Sequence, residues 1–153
     1  ADAPIAWSIF SAHQWIPFTV ATPLQEAVAT ALQAAGENGY FHWLSAMYQE
    51  KRNRLYRVLD EIGLNPVKPD GSYFILFDTS RLDVPVAAGE RRDYAFCRWF
   101  TREVGVASIP PSPFYSPQHQ YFPVQLARVT LCTTDVALDE AARRLQARLG
   151  DGG

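Results

Sequence analysis

The sequence predicts an α/β fold, more narrowly a small α+β domain in which helices pack on a short sheet. The second half of the chain alternates between helix-type and strand-type hydrophobic patterns, in the order helix, strand, helix, strand, loop, strand, helix. Apolar residues make up 48% of the 153 residues, enough to bury a core and too many for a disordered chain. Such an alternation is typical of a sheet layer covered by helices.

Two helices are predicted near the start of the chain. Asp2 is placed to cap a short helix that Pro17 stops, because proline cannot continue a helix. Thr22-Pro-Leu-Gln25 has the form of a capping box with proline at the first helical position. It predicts an alanine-rich helix that runs to about Ala35 and ends at Gly36.

A long amphipathic helix and a strand follow. From Phe41 to the helix-ending Gly63, apolar residues recur every three or four positions. Asp70-Gly71 then marks a turn before the apolar run Tyr73–Phe77. Continuous hydrophobicity predicts a strand buried on both faces, with Tyr73 and Phe74 in the core. The apolar positions of the long helix are Leu44, Met47, Tyr48, Leu55, Val58, Leu59 and Ile62.

The last part of the chain is predicted to complete the sheet and its helical cover. A last helix from Asp135 should turn Leu138, Ala142, Leu145 and Leu149 inward, with two i,i+4 ion pairs, Asp139–Arg143 and Glu140–Arg144. The preceding elements are a surface loop over 79–92, a helix from Asp93 to Val104 closed by Gly105, a strand over 106–109, a proline-rich loop over 110–117 and a strand over 127–133.

Composition argues against several classes of partner. With 14 basic and 16 acidic residues, the net charge of −2 does not suit nucleic acid or an anionic membrane. No apolar run reaches the ~20 residues that span a bilayer. Cys97 and Cys132 form no disulfide framework, so we expect a cytoplasmic protein. His13, His42 and His119 lack the paired spacing of a zinc site.

Arg128 is the first candidate for a functional residue. On the predicted strand, Ala127, Val129 and Leu131 share one face and Arg128 lies on the other. An arginine in mid-strand is costly unless its charge is matched, and its planar fork suits a carboxylate. That carboxylate is either a ligand's or an internal Asp or Glu. The loop over 109–116 is the second candidate, because its prolines stiffen it. A stiff loop that ends in aromatics is expected either to form the wall of a small-molecule pocket or to be a rigid surface connection whose aromatics pack in the core.

Five segments in fixed order resemble a known enzyme family. They are Ala12-His-Gln-Trp-Ile-Pro-Phe18, Thr22-Pro-Leu-Gln25, Gly71-Ser-Tyr-Phe-Ile-Leu-Phe-Asp78, Ile109-Pro-Pro-Ser-Pro-Phe-Tyr-Ser116 and Leu126-Ala-Arg-Val-Thr-Leu-Cys132. Together they resemble the C-terminal part of a class I/II, fold-type I aminotransferase that depends on pyridoxal 5'-phosphate (PLP), closest to the kynurenine and glutamine transaminase branch. The resemblance covers residues 1–149.

The resemblance implies transfer of an amino group between an α-amino acid and a 2-oxo acid by a homodimer. It also implies that residues 1–39 end the large PLP-binding domain and that 40–153 form the small domain with a long interdomain helix. The family's cofactor lysine lies upstream of the matching segment. Lys51 and Lys68 are this chain's lysines, and neither has the buried surroundings that a Schiff-base lysine needs. We therefore expect no catalytic residue, no covalent PLP attachment and no activity from this chain alone.

The resemblance also implies a set of substrate-binding residues. Arg128 would clamp the substrate carboxylate, while Phe114 and Tyr115 would border it from the proline-rich loop. Phe18 would reach the active site of the neighbouring subunit. The branch often has a histidine next, where this chain has Thr19, so a preference for aromatic substrates is not implied. The alternative function is a free-standing, non-catalytic module that binds a carboxylate or serves in assembly.

Overall fold

The structure is a computed structural model that describes residues 2–150. The chain divides into two compact units, Ala1–Leu44 and Ser45–Gly153. The predicted domain limits, 1–39 and 40–153, lie close to this division, and their assignment to a large and a small domain stays a prediction. No helix in the part of the chain described is both long and apolar enough to cross a membrane.

The first unit is helical. It contains α1 (Ala3–Trp15), α2 (Thr22–Glu37) and the start of α3 (Tyr40–Glu61). Asp2 occupies the N-cap of α1, but its side chain makes no capping hydrogen bond.

The predicted capping box of α2 is wrong. Ala21 holds the N-cap, so the Thr22 hydroxyl is already inside the helix, and Gln25 Nε2 donates to the Val20 carbonyl at 2.9 Å instead. The predicted end at Gly36 is also early. Gly39 supplies the left-handed turn, with φ of +76°, that separates α2 from α3.

The second unit is built on an antiparallel pair of strands. β1 (Phe74–Asp78) pairs with β2 (Leu126–Thr130), with Leu76 opposite Arg128. Isolated bridges from Val67 to Leu76 and from Ile109 to Arg128 extend the pairing on each side. The predicted α+β class, a short sheet with packed helices, is therefore confirmed. The remaining elements are α4 (Arg92–Trp99), a π-helical turn (Phe100–Val104), three short 3₁₀ turns between 112 and 125, and α5 (Asp135–Leu149).

Two of the predicted strands need correction. The strand over 106–109 is reduced to a bridge at Ile109, and pairing does not continue beyond that residue because Pro110 and Pro111 have no N–H. The strand over 127–133 ends at Thr130.

The core lies against one face of the sheet. Ile75 and Phe77 are fully buried, whereas Phe74 is partly exposed and Tyr73 is 46% exposed. The prediction that β1 is buried on both faces, with Tyr73 and Phe74 in the core, is therefore wrong. On β2 the predicted alternation is confirmed. The buried core contains Leu55, Val58, Leu59, Ile62, Leu64, Ile75, Phe77, Phe96, Phe100, Ala127, Val129, Leu131, Leu138 and Leu145.

The helix ends and the ion pairs on the helices that cover the core largely match the predictions. Gly63 and Gly105 take left-handed conformations where α3 and the π-helical turn end. On α5, Glu140 pairs with both Arg143 and Arg144. The predicted pair Asp139–Arg143 is absent, because Asp139 instead contacts Arg54 of α3.

These pairs predict a pH-dependent contribution to stability. Hydrogen bonds from Arg143 and Arg144 lower the pKa of Glu140 from 4.5 to about 2. Because the folded pKa is depressed, the contribution is present above the unfolded pKa and is lost as the pH falls toward 2. Solvent screens these exposed groups, so the effect is small.

We expect the melting temperature of wild type to exceed that of Glu140→Gln slightly at neutral pH, and this difference to vanish near pH 2. Glu26→Gln, at an exposed glutamate of α2 without an ion pair among residues 2–150, is the control. A difference that persists or grows in acid would contradict this origin.

Candidate functional site

Arg128 is held firmly by the backbone around it. It lies at the centre of β2, opposite Leu76 on one side. On the other side, the Ile109 N–H donates to the Arg128 carbonyl at 2.9 Å, and the Arg128 N–H donates to the Ile109 carbonyl at 3.1 Å. The strand places its side chain on the face opposite the core, where it is half-buried. Its position is therefore fixed by pairing on both edges of the strand.

Two aromatic rings contact the Arg128 guanidinium. Its Cζ lies 4.1 Å from the centroid of the Phe74 ring and 4.4 Å from that of Phe114. Such contacts attract a cation to the ring's negative face. They use none of the guanidinium's hydrogen-bond donors, so the rings orient the group while leaving its N–H groups free for a ligand.

Within the described residues, 2–150, no carboxylate matches the charge of Arg128. Among residues 2–150, no Asp or Glu lies within ion-pair distance of it, and its buried Nε has no hydrogen-bond partner. A desolvated donor without an acceptor costs free energy, so such a group in a native fold requires an explanation. A carboxylate ligand would supply the missing acceptors.

The proline-rich loop brings one of its two aromatics to Arg128. Phe114 is 64% exposed and Tyr115 is 40% exposed, so neither is tucked into the core. Phe114 contacts the guanidinium. Tyr115 is fixed through its backbone, with its N–H donating to the Ser112 carbonyl at 3.1 Å, and its ring makes no such contact with the cations that the structure describes.

Phe18 belongs to the first unit. It lies in the turn after α1, is 75% exposed and contacts the Trp15 ring, with the two centroids 5.8 Å apart. Its role at a subunit interface stays a prediction, as do the substrate-binding roles of Arg128, Phe114 and Tyr115.

Sequence reasoning missed Phe74 as a neighbour of Arg128. In the observed register Arg128 lies opposite Leu76, so Phe74, two positions earlier, is its diagonal neighbour on the same face. The contact between Phe74 and Arg128 depends on the strand register. An apolar run in the sequence does not show which of its residues lies beside a charged residue of the neighbouring strand.

The lysines of this chain do not suit covalent attachment of an aldehyde cofactor. Lys51 Nζ donates to the Thr133 carbonyl and lies 3.5 Å from Asp135 Oδ1. The Lys51 side chain is only 11% exposed, contrary to expectation, but these contacts occupy its nitrogen, whereas a Schiff-base lysine must be free to attack the aldehyde. Lys68 is exposed to solvent and lies outside the buried surroundings that a Schiff-base lysine needs.

Comparison with known proteins gives consistent results. The family described as aminotransferase class I and II matches residues 12–145. The chain is 42% identical over 147 residues to kynurenine–oxoglutarate transaminase of Dictyostelium discoideum, covering 90% of this chain and 34% of that protein. It is 37% identical to methionine aminotransferase of Escherichia coli, covering 95% of this chain and 35% of that one.

The fold is shared with solved structures. Bna3p, a putative kynurenine aminotransferase from Saccharomyces cerevisiae, superimposes with a TM-score of 0.80 and 34% identity, covering 92% of this chain and 35% of Bna3p. This chain therefore spans about a third of the length of the relatives it matches. Its sequence and fold show that it belongs to the class I and II aminotransferases, of fold type I, and is similar to their kynurenine transaminase branch.

Proposed function

We propose that this chain is the C-terminal part of a PLP-dependent aminotransferase that moves an amino group between an α-amino acid and a 2-oxo acid. The observation that carries the proposal is the guanidinium of Arg128, which is half-buried, contacted by two aromatic rings and free of any carboxylate among residues 2–150. Membership in the family and the names of the relatives support it.

Arg128 would bind the group that both substrates share. Amino and 2-oxo acids differ at the α-carbon, but each carries a carboxylate beside it. A planar fork of N–H donors binds two carboxylate oxygens at once, which fixes the orientation of the α-carbon as well as its position. Phe114, Tyr115 and, from the neighbouring subunit, Phe18 would form apolar walls around the substrate.

PLP would be held by residues outside this chain. Neither lysine of this chain fits the role of cofactor lysine, because Lys51 is bound to the Thr133 carbonyl and Asp135 and Lys68 is exposed to solvent. The contribution of this segment is to bind the substrate carboxylate and to shape the pocket wall.

The direct test is activity of the full-length protein. With PLP and a 2-oxo acid acceptor, it should convert at least one of a panel of aromatic, sulfur-containing and acidic amino acids to the matching 2-oxo acid. Failure across the panel by a folded protein with bound PLP would contradict amino transfer. Carboxylate binding without turnover would instead favour the free-standing, non-catalytic module.

A homodimer in the cytoplasm is the assembly and location that we propose. Cys97 and Cys132 are free thiols, which suits a reducing compartment. The first unit exposes a run of large apolar side chains, and such patches often mark interaction surfaces. Six of its residues between Trp7 and Phe18 are at least half exposed: Trp7, Ile9, Phe10, Trp15, Ile16 and Phe18.

We therefore predict that the isolated chain self-associates. Sedimentation velocity over a concentration series should show a rise in mean mass as these apolar residues are buried between copies. A variant with Trp7, Phe10 and Trp15 replaced by serine should associate less, whereas serine at the exposed Tyr121 of the second unit should have little effect. A chain that stays monomeric and folds cooperatively at every concentration would contradict the prediction.

A further inference from the structure

A buried aspartate outside the proposed binding site is tied to the loop that reaches Arg128. Asp93 lies in the first turn of α4 and is fully buried. Its Oδ2 accepts the Ser112 N–H at 3.0 Å. Its Oδ1 has no hydrogen-bond partner among residues 2–150, and neither has the buried Ser112 Oγ.

Asp93 does not cap α4, although its place in the first turn suits the helix dipole. Arg91 holds the N-cap of the helix, and no side chain caps it. Burying a carboxylate with one oxygen unpaired costs free energy that an apolar residue would avoid. The hydrogen bond that the Asp93 side chain does make joins the helix to a loop 19 residues further along the chain. This bond therefore fixes the loop relative to α4, which the helix dipole alone does not require.

The loop can be anchored through its backbone in few ways. Pro110, Pro111 and Pro113 have no N–H, so Ser112 carries the single backbone donor between Ile109 and Phe114. That donor is the one that Asp93 accepts. The Asp93 side chain therefore accepts the single backbone N–H that residues 110–113 offer.

The anchored loop carries a residue of the proposed site. At its start, Ile109 is paired with the backbone of Arg128 through two hydrogen bonds. Two residues after Ser112, the Phe114 ring contacts the guanidinium of Arg128. Between these two contacts, the bond from Ser112 to Asp93 ties the packed loop to α4, and the Phe114 N–H donates to the Pro111 carbonyl at 3.0 Å within the loop.

We propose that Asp93 is a positioning residue, which holds the loop so that Phe114 orients the Arg128 guanidinium. The effect on substrate binding rests on the proposed function, whereas the effect on the loop does not. The two parts are therefore tested separately.

The first test needs no enzymatic activity. In NMR spectra of the full chain, the Ser112 amide should be protected from hydrogen exchange, and Asp93→Leu should remove that protection and shift the Arg128 Nε–H resonance as the Phe114 ring moves. Asp93→Asn keeps an acceptor and should preserve both signals. Ser112→Ala is the matched control, because it removes an unpartnered hydroxyl and keeps the N–H. An Arg128 resonance unchanged in folded Asp93→Leu would overturn the proposal.

The second test uses the full-length protein. Asp93→Leu should raise KM for both substrates by roughly tenfold or more, with a smaller change in kcat, while Asp93→Asn and Ser112→Ala stay within about threefold of wild type. Unchanged KM values in Asp93→Leu would overturn the role in substrate binding. If Asp93→Leu does not fold, hydrogen exchange of the Ser112 amide in the unsubstituted chain still tests the proposal. Exchange at the rate of a free amide would refute the hydrogen bond between Ser112 and Asp93. The NMR test does not depend on enzymatic activity. If the protein proves to have no amino-transfer activity, the NMR result still tests the role of Asp93 in holding the loop.

Discussion

Replacing Arg128 with alanine is expected to lower kcat/KM of the full-length enzyme for both substrates by a factor on the order of 10² or more, with PLP still bound. The variant loses a two-point charged contact that would place the α-carbon for reaction, and it loses nothing that packs in the core. Steady-state kinetics give the loss, and the visible absorbance of PLP checks that the cofactor remains.

Two further variants separate this effect from a loss of charge or of stability. Arg128→Lys keeps the positive charge but not the planar fork, so we expect it to recover only part of the activity. Arg148→Ala removes an exposed arginine near the end of α5 and should leave the kinetics unchanged. Wild-type kinetics in Arg128→Ala would assign Arg128 a structural role.

The second large effect is an absence of covalent chemistry in the isolated chain. Mixed with PLP and reduced with borohydride, the chain should carry no stoichiometric adduct, and it should not transaminate. Lys51 Nζ is engaged by the Thr133 carbonyl and by Asp135, and Lys68 is exposed to solvent, so neither amine is placed to attack the aldehyde of PLP.

Before reduction, visible absorbance at the band of lysine-bound PLP detects any covalent adduct. After reduction, mass spectrometry of peptides shows which residue carries it. The variant with both Lys51 and Lys68 replaced by arginine gives the background from the chain's amino terminus. A stoichiometric adduct on either lysine, together with measurable turnover, would contradict the assignment of the cofactor lysine to residues outside this chain.

Features with a local cause could be predicted from the sequence. The alternation of Ala127, Val129 and Leu131 with Arg128 reflects the two-residue period of a strand, which needs no knowledge of the neighbouring strand. Gly63 and Gly105 mark helix ends because glycine adopts the left-handed conformation without a Cβ clash. Arg128 was recognisable as a candidate because a charge in mid-strand needs a partner wherever the strand lies.

Features that depend on register or on distant contacts could not be predicted. Phe74 meets Arg128 only because Leu76 pairs opposite that arginine, and nothing in an apolar run fixes this register. Asp93 meets Ser112 across 19 positions of sequence, in a loop whose path is set by tertiary packing. The capping box at Thr22 failed because the helix starts one residue earlier, with Ala21 at the N-cap, and Gln25 Nε2 donates to the Val20 carbonyl where the motif requires the Gln25 side-chain oxygen to accept.

The most direct test of the central claim is a crystal structure of the full-length protein with a 2-oxo acid bound. Both carboxylate oxygens of the ligand should lie within about 3 Å of guanidinium nitrogens of Arg128, with the Phe74 and Phe114 rings still in contact with that group. A ligand carboxylate bound to a different cation, with Arg128 paired to an aspartate or glutamate of the protein, would contradict the account.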